Sequence, residues 1–217
     1  MKAQEEEIKK SNQLRFIIYF LYLVHIAGVF GIMSPWRELF LDLTPFTILL
    51  TTAIIIYALP RKDRVTFICL SSAFVIGFIA EYLGVNYGLI FGDYHYGNNL
   101  GPKIGGVPPI IGINWAILTY CSAVLTSYMI INPWIKAITG AIIMTGIDLF
   151  IEPVAPKVDF WFFDAGVAQV QNYIGWFSIS FLAQIIFQKS NFSKNFYVAN
   201  NVLVIQTLFF VILNVVA

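Results

Sequence analysis

Charged residues are scarce in this 217-residue chain: they make up 12% of it, whereas hydrophobic residues make up 59%. So apolar a composition is not that of an ordinary soluble domain, and it predicts an integral membrane protein. The 13 Lys and Arg residues and a net charge of +1 provide no basic face that could neutralise a row of phosphates. Nucleic acid is therefore excluded as a main partner.

Cysteine and histidine are rarer still, with two residues of each. Cys69 and Cys121 both lie in apolar stretches, which excludes a disulfide framework or a zinc cluster built from them. His25 and His95 show none of the HxxxH or ExxH spacings of membrane di-iron enzymes, so we expect no metal. Near the carboxyl terminus, the apolar run 196–216 has no lysine, which excludes a retinal Schiff base there.

Long apolar runs, in contrast, recur along the chain, and about 20 such residues cross the hydrocarbon of a bilayer as a helix. They predict an all-α, polytopic membrane bundle of about seven transmembrane helices. We expect a cytoplasmic segment 1–15, which lacks a signal-peptide cleavage site, and then one transmembrane domain, 16–217. The runs are approximately 16–33, 44–59, 65–83, 109–131, 133–152, 173–188 and 196–216.

Positive residues favour one orientation, because Lys and Arg concentrate on the cytoplasmic side of membrane proteins. With the amino terminus inside, ten of them lie inside and three outside, which also places the carboxyl terminus outside. The two long connections, 84–108 and 153–172, then share the outer face. The inner residues are Lys2, Lys9, Lys10, Arg15, Arg61, Lys62, Arg64, Lys136, Lys189 and Lys194, and the outer ones are Arg37, Lys103 and Lys157.

Acidic residues within apolar runs are costly and mark candidate sites. Glu81 lies in the third run, and Asp148 and Glu152 lie near the outer end of the fifth. Because Asp148 and Glu152 are four residues apart, they share one helix face and repel each other unless one is protonated. This pattern favours a proton donor, although these acids could instead bond backbone groups at helix ends.

Both outer connections combine acids with aromatic rings. The first contains FGDYHYG at 91–97, and the second contains DFWFFDAG at 159–166. Each follows a helix that carries a buried acid, which is a weak echo between the halves of the chain. Acids beside aromatic rings suit a site that protonates an alkene and shelters the cation, although Trp161 could simply be an interfacial tryptophan.

Several of these segments resemble a known family, the membrane carotenoid-biosynthesis proteins that include carotenoid 1,2-hydratases and bisanhydrobacterioruberin hydratases. The resemblance rests on EYLGVNYGLIFGDYHYG at 81–97, LGPKIGGVPPIIGINW at 100–115, DLFIEPVAP at 148–156, FWFF at 160–163 and NYIGW at 172–176. It implies a multi-helix membrane enzyme that adds water to the terminal isoprenoid double bond of a carotene. No metal or redox cofactor is then needed.

Hydration of such an alkene requires an acid, a sheltered tertiary cation and a positioned water molecule. We expect Asp148 or Glu81 to be the general acid, and Glu152 or Asp93 to orient the water and accept its proton. Glycines on the helices could admit the polyene or simply permit close helix packing. The expected substrate-binding residues are Tyr94, His95, Tyr96, Asn114, Trp115, Trp161, Asn172 and Trp176, and the glycines are Gly77, Gly84, Gly140 and Gly146.

Two other functions remain open from the sequence. A membrane lycopene cyclase begins with the same protonation and differs in excluding water from the cation. A small-molecule carrier also places acids within helices. For each function we expect a multi-pass protein of a bacterial inner membrane, surrounded by lipid, with a carotenoid or other isoprenoid lipid as ligand; the sequence leaves a homo-oligomer open.

Overall fold

The computed structural model describes residues 2–216, with side chains from Ile8 onward. Met1, the first residue of the predicted segment 1–15, and Ala217, the last residue of the predicted domain 16–217, lie outside this description. Within that range it confirms the predicted all-α bundle, with seven long helices and one short one. The helices are α1 (Lys2–Ile32), α2 (Arg37–Asp42), α3 (Thr44–Ala58), α4 (Arg64–Tyr87), α5 (Pro109–Ser127), α6 (Pro133–Ile151), α7 (Val170–Gln188) and α8 (Phe196–Val216).

Local sequence signals account for most helix ends. Proline occupies the first turn of α3, α5 and α6, where its missing N–H costs nothing. The Asp63 side chain accepts from the Thr66 N–H at 2.9 Å and caps α4, while Asn132 caps α6 in the same way. Gly88, with φ of +62°, ends α4 in the left-handed conformation that glycine tolerates. The short helix α2 and the extension of α1 back to Lys2 are additions to the predicted boundaries.

Six helical segments in the described range are long and apolar enough to cross a membrane, which supports a multi-pass membrane protein. The predicted sixth run forms α7 as expected, but α7 is not among them. It carries amide and hydroxyl side chains along its length, including Asn172, Ser180 and Gln184. The six segments are Ile8–Ile32, Arg37–Ala58, Arg64–Tyr87, Pro109–Ser127, Pro133–Ile151 and Phe196–Val216.

Helix α5 forms the centre of the bundle, packing against α3, α4, α6, α7 and α8. Its fully buried side chains include Trp115, Leu118 and Tyr120. The closest helix pair is α6 with α7, and α1 lies on the outside of α8. The interior therefore lies among α4, α5, α6 and α7, the helices that carry the acids and their aromatic neighbours.

The two outer connections meet in a short antiparallel sheet that the sequence did not predict. Strand β1 (Tyr94–Tyr96) pairs with β2 (Trp161–Phe163), so that Tyr94 faces Phe163 and Tyr96 faces Trp161. A turn of 3-10 helix, Ala155–Val158, precedes β2. The sheet joins the two segments that echo one another in sequence and places them beside the ends of α4 and α6.

Candidate active site

Glu81, on α4, is buried and surrounded by hydrogen-bond donors. The Tyr96 hydroxyl donates to its Oε2 at 2.7 Å, and the Tyr94 hydroxyl donates to the same oxygen. The Trp115 indole N–H donates to Oε1 at 2.9 Å. Burial and the neighbouring Glu81 raise the pKa of both tyrosines, which remain donors across the physiological range. Three neutral donors on two acceptor oxygens favour an ionised carboxylate, whereas the burial of Glu81 favours the protonated form.

Two glycines on α4 allow these donors to reach Glu81. The Trp115 ring occupies the space that a side chain at Gly77 would fill, and the Tyr94 ring packs in the same way on Gly84. Gly140, on α6, is likewise covered by the Gln184 side chain, whereas nothing lies close to Gly146. Three of the four glycines singled out in the sequence therefore serve close packing within the protein and leave no groove for a polyene at those positions.

Asp148 and Glu152 form a second acidic centre at the end of α6. The side-chain amide of Asn172, on α7, bridges them, donating to Asp148 Oδ2 at 3.1 Å and to Glu152 Oε1 at 2.9 Å. The Trp161 indole N–H donates to Glu152 Oε2 at 3.0 Å. Asp148 Oδ1 has no hydrogen-bond partner among the described residues. Asp148 therefore receives one donated bond, whereas Glu81 receives three.

Burial raises the pKa of Glu152 to about 7, and the donated bonds from Trp161 and Asn172 act in the opposite direction. Glu152 is therefore poised to hold a proton near neutral pH and to release it, as a general acid must. The two carboxyl groups of this centre lie close enough to interact directly.

A narrow cavity brings the two acidic centres together. Glu81 and Glu152 both line it, whereas Asp148 lies behind Glu152 with no exposed surface. Aromatic rings form much of the wall, and Trp115 and Trp176 stack at 4.2 Å between ring centroids. The wall consists of Glu81, Phe91, Tyr94, Tyr96, Ile111, Asn114, Trp115, Ile151, Glu152, Trp161, Phe163, Asn172 and Trp176.

A larger, mostly apolar cavity lies next to this acidic cavity. Four residues belong to the walls of both: Ile111, Asn114, Ile151 and Trp161. The apolar cavity reaches inward past Leu118 to His25 on α1 and Gln206 on α8. If an elongated apolar molecule occupied the larger cavity, one end of that molecule would therefore lie close to the carboxyl groups of the acidic cavity.

The structure brings most of the predicted site residues together, with two exceptions. Asp93 and His95 have exposed side chains and do not line the acidic cavity. His95 stacks on Phe162 at 5.5 Å between ring centroids and lies 3.7 Å from Asp164 on the exposed side of the sheet. The alternation of side chains along a strand is the reason, since Tyr94 and Tyr96 face inward and leave His95 outside.

Sequence reasoning missed several cavity residues. Phe91 is buried against Tyr94, Trp115 and Trp176, and Phe163 packs on Tyr94. Both lie in the two segments that echo one another, so that echo was the available signal. Among the described residues, no three His, Cys, Asp or Glu side chains are arranged to hold a metal ion.

Comparison with known proteins agrees with the motifs. Residues 43–217 match the family described as carotenoid biosynthesis protein, and this region contains all the segments on which the resemblance rests. The chain matches no curated protein and no solved structure. Because the family match spans most of the sequence, the chain belongs to the carotenoid biosynthesis protein family.

Proposed function

We propose that this protein is a carotenoid hydratase, a cofactor-independent hydro-lyase that adds water to the terminal isoprenoid double bond of a carotene. We further propose that it works in a bacterial inner membrane with its amino terminus inside, as the ten-to-three distribution of Lys and Arg favours. The acidic cavity would then lie toward the outer face.

One observation carries this proposal: an acidic, aromatic cavity adjoins a larger apolar cavity through a shared wall. The apolar cavity offers room for part of a polyene, and the acidic cavity offers carboxyl groups to its end. Its lining includes no Lys or Arg among the described residues, so a carboxyl group is the natural proton donor.

Glu152 is the donor that the geometry favours. It faces the cavity, and its pKa of about 7 leaves a large fraction protonated at neutral pH. Asp148 lies behind it and shares the Asn172 amide, so it acts as the proton reservoir for Glu152. The sequence favoured Asp148 or Glu81 as the acid. We propose Glu152 instead, because Asp148 does not line the cavity and Glu81, which does, receives three donated bonds where Glu152 receives two.

In the proposed step, the Glu152 proton is added to the less substituted alkene carbon, which leaves a tertiary cation on its neighbour. The ionised Glu81 carboxylate and the ring faces of Tyr94, Tyr96 and Trp161 stabilise that cation. A water molecule, held by the amides of Asn114 and Asn172, forms the new C–O bond. Its excess proton passes to Glu81 and then back to the carboxyl groups on α6, so the net reaction consumes one water molecule.

The test is expression of the full chain in cells that accumulate lycopene, with the pigments analysed by mass. Wild type should add one or two water molecules to the pigment, and Glu152→Gln should abolish that gain at an unchanged protein level. Asp164→Asn is the control, because this carboxyl group lies next to β2 but is mostly exposed and does not line the acidic cavity. Unchanged pigment with folded wild-type protein present would contradict the proposal for this substrate, and pigment redistributed between membranes would indicate a carrier.

The same experiment separates hydration from cyclisation. A cyclase would produce an isomer of unchanged mass with altered absorption, because the cation is captured by a second double bond. Asn114 and Asn172 in the cavity wall favour capture by water, since amide groups hold water close to the cation.

A further inference from the structure

Three turns lie at the face of the bundle opposite the acidic cavity, and they are strongly basic. They connect α3 to α4, α5 to α6 and α7 to α8. Together with the first turn of the helices that follow, they hold six Lys and Arg residues but a single acid, Asp63. The six are Arg61, Lys62, Arg64, Lys136, Lys189 and Lys194.

Hydrogen bonds and an aromatic contact hold the three turns together. The Arg61 backbone N–H donates to Ser193 Oγ at 2.9 Å, and the Arg61 guanidinium donates to the Asn191 carbonyl at 3.2 Å. On the other side of the turn between α7 and α8, Tyr128 packs edge-on against Phe196, with 5.0 Å between ring centroids. The basic residues of three separate turns therefore share one patch of surface.

Lys136 and Lys194 are the partly buried cations of this patch, whereas the other four are exposed. Lys136 donates to the Ser127 carbonyl at 2.9 Å, and the Lys194 ammonium lies 4.9 Å from the centre of the Phe192 ring. Burial lowers the pKa of Lys194, and the positive charges of Lys136 and Arg61 lower that pKa further. The three cations therefore lie close enough to repel one another.

No acid among the described side chains offsets this repulsion at either lysine. The two salt bridges in the described part of the chain join Arg61 to Asp63 and His95 to Asp164. Asp63 also accepts two bonds from Thr66, so its carboxylate is already occupied. Two neighbouring ammonium groups with donors to spare favour a bound anion, because an anion accepts their hydrogen bonds and relieves their repulsion.

Exposed aromatic and aliphatic side chains accompany the lysines. Trp134 is 50% exposed, and the Lys189 ammonium lies 4.0 Å from the centre of its ring. Tyr128, Ile130 and Phe196 are also exposed. Tryptophan and tyrosine in membrane proteins collect at the level of the lipid headgroups, so these lysines lie at the level of the lipid phosphates.

We propose that Lys136 and Lys194 bind the phosphate of an anionic phospholipid at this face, with Arg61 and Lys189 at the edge of the site. The phosphate accepts hydrogen bonds from both ammonium groups, and the acyl chains lie beside α6 and α8. Basic pockets between transmembrane helices recognise anionic headgroups in this way. A zwitterionic headgroup brings a positive charge of its own and therefore gains less. The inference goes beyond the proposed reaction and does not depend on it.

The test is a lipid titration of the full chain in detergent micelles, with bound lipid counted by native mass spectrometry. The probes are dioleoyl-phosphatidylglycerol and dioleoyl-phosphatidylcholine, which share their acyl chains and differ in headgroup charge. Wild type should bind one phosphatidylglycerol molecule about tenfold more tightly than phosphatidylcholine. Lys136→Gln with Lys194→Gln should weaken the binding of phosphatidylglycerol by about tenfold or more and leave that of phosphatidylcholine unchanged.

The matched control is Lys9→Gln with Lys10→Gln, which removes the same charge from exposed side chains near the start of α1. It should bind phosphatidylglycerol as wild type does. An equal loss in both double variants would mean a general attraction to basic protein, and it would overturn the inference. If Lys136→Gln with Lys194→Gln unfolds at a lower temperature than the control, Lys194→Gln alone should still weaken binding by about threefold or more.

Inorganic phosphate distinguishes a lipid site from a site for a soluble anion. Added in large excess over lipid, it should neither displace phosphatidylglycerol nor raise the unfolding temperature of wild type. If phosphate stabilises wild type as much as phosphatidylglycerol does, the lipid site is overturned in favour of a soluble anion. Equal affinity of wild type for the two lipids would overturn it as well. The titration needs no carotene, so a failed pigment assay beside a normal lipid preference would contradict the proposed function only.

Discussion

The two acidic centres differ in the number of donors they receive. Glu81 has three donors, from Tyr94, Tyr96 and Trp115. Asp148 and Glu152 share one amide and one indole, and an oxygen of Asp148 is left without a protein partner. Donated hydrogen bonds therefore favour the ionised form more strongly at Glu81 than at Asp148.

This difference in donated hydrogen bonds shows how carboxyl groups in one cavity can take two roles. One can act as a proton donor, and another can act as the negative charge that stabilises a cation. Burial alone favours the protonated form of every carboxyl group, and donated hydrogen bonds oppose that preference. A general acid and a cation-stabilising carboxylate can then lie in the same cavity without a metal or a basic residue. Each of the following predictions changes one side of this comparison.

Replacing Glu152 by Gln should have the largest effect. The amide keeps the shape of the side chain but cannot donate a proton to an alkene, so we expect activity to fall by about 10²- to 10⁴-fold. Pigment mass analysis at matched protein levels measures the loss. A variant that retains more than a tenth of wild-type activity would move the donor role back to Glu81 or Asp148.

Raising the pH should act on the same centre. With a pKa of about 7, Glu152 loses its proton as the pH rises through that value, so activity should fall by about tenfold per unit above it. Its pKa in the folded protein lies above the ordinary value of 4.5, so its contribution to stability is complete below pH 4.5 and is lost as the pH rises through 7. Thermal unfolding against pH measures this loss, which should disappear in Glu152→Gln.

Replacing Tyr96 by Phe removes one donor from Glu81. If Glu81 is ionised, the loss should be about 1.5 to 3 kcal/mol of unfolding free energy, whereas a bond to a neutral carboxyl group contributes about 0.5 to 1.5 kcal/mol. Tyr87→Phe is the control, since Tyr87 is 64% exposed, and it should change stability by less than about 0.5 kcal/mol. A loss near that of the control would mean that Glu81 is not held as a carboxylate.

Replacing Gly77 by Ala pushes on the Trp115 ring and so displaces the third donor. We expect a loss of about 1 to 3 kcal/mol in unfolding free energy, as for other overpacked interiors. Gly146→Ala is the matched control on α6, where nothing lies close to the new methyl group. It should stabilise the helix by about 0.5 to 1 kcal/mol, and equal effects at both positions would contradict the packing role of Gly77.

Much of the fold could be predicted from the sequence, because helix formation in a membrane depends on local apolar runs and on their ends. The runs at 133–152 and 196–216 became α6 and α8 almost residue for residue. Helix α7 was also predicted, as the run 173–188, but its amide and hydroxyl side chains keep it out of the segments that are apolar enough to cross a membrane. The sequence did not predict its close packing on α6.

The candidate site was predicted only in part. Glu81, Asp148 and Glu152 were found because acids in apolar runs are costly, but their separate roles depend on which atoms surround each of them. Asp93 and His95 were predicted because they lie among aromatic residues in an outer connection, yet their side chains are exposed. Strand pairing decides that placement, and two strands separated by more than sixty residues along the chain carry no local signal of it.

The sequence by itself determined that this is a helical membrane protein of the carotenoid-biosynthesis type with three acids within or at the ends of its helices, because length, apolarity and motif are properties of short segments. Only the tertiary structure decided which acid faces the cavity and which lies behind it. It alone placed three donors on Glu81 and left an oxygen of Asp148 free. The physical reason is that the ionisation state of a buried carboxyl group depends on donors from other helices and strands, which only packing brings into contact.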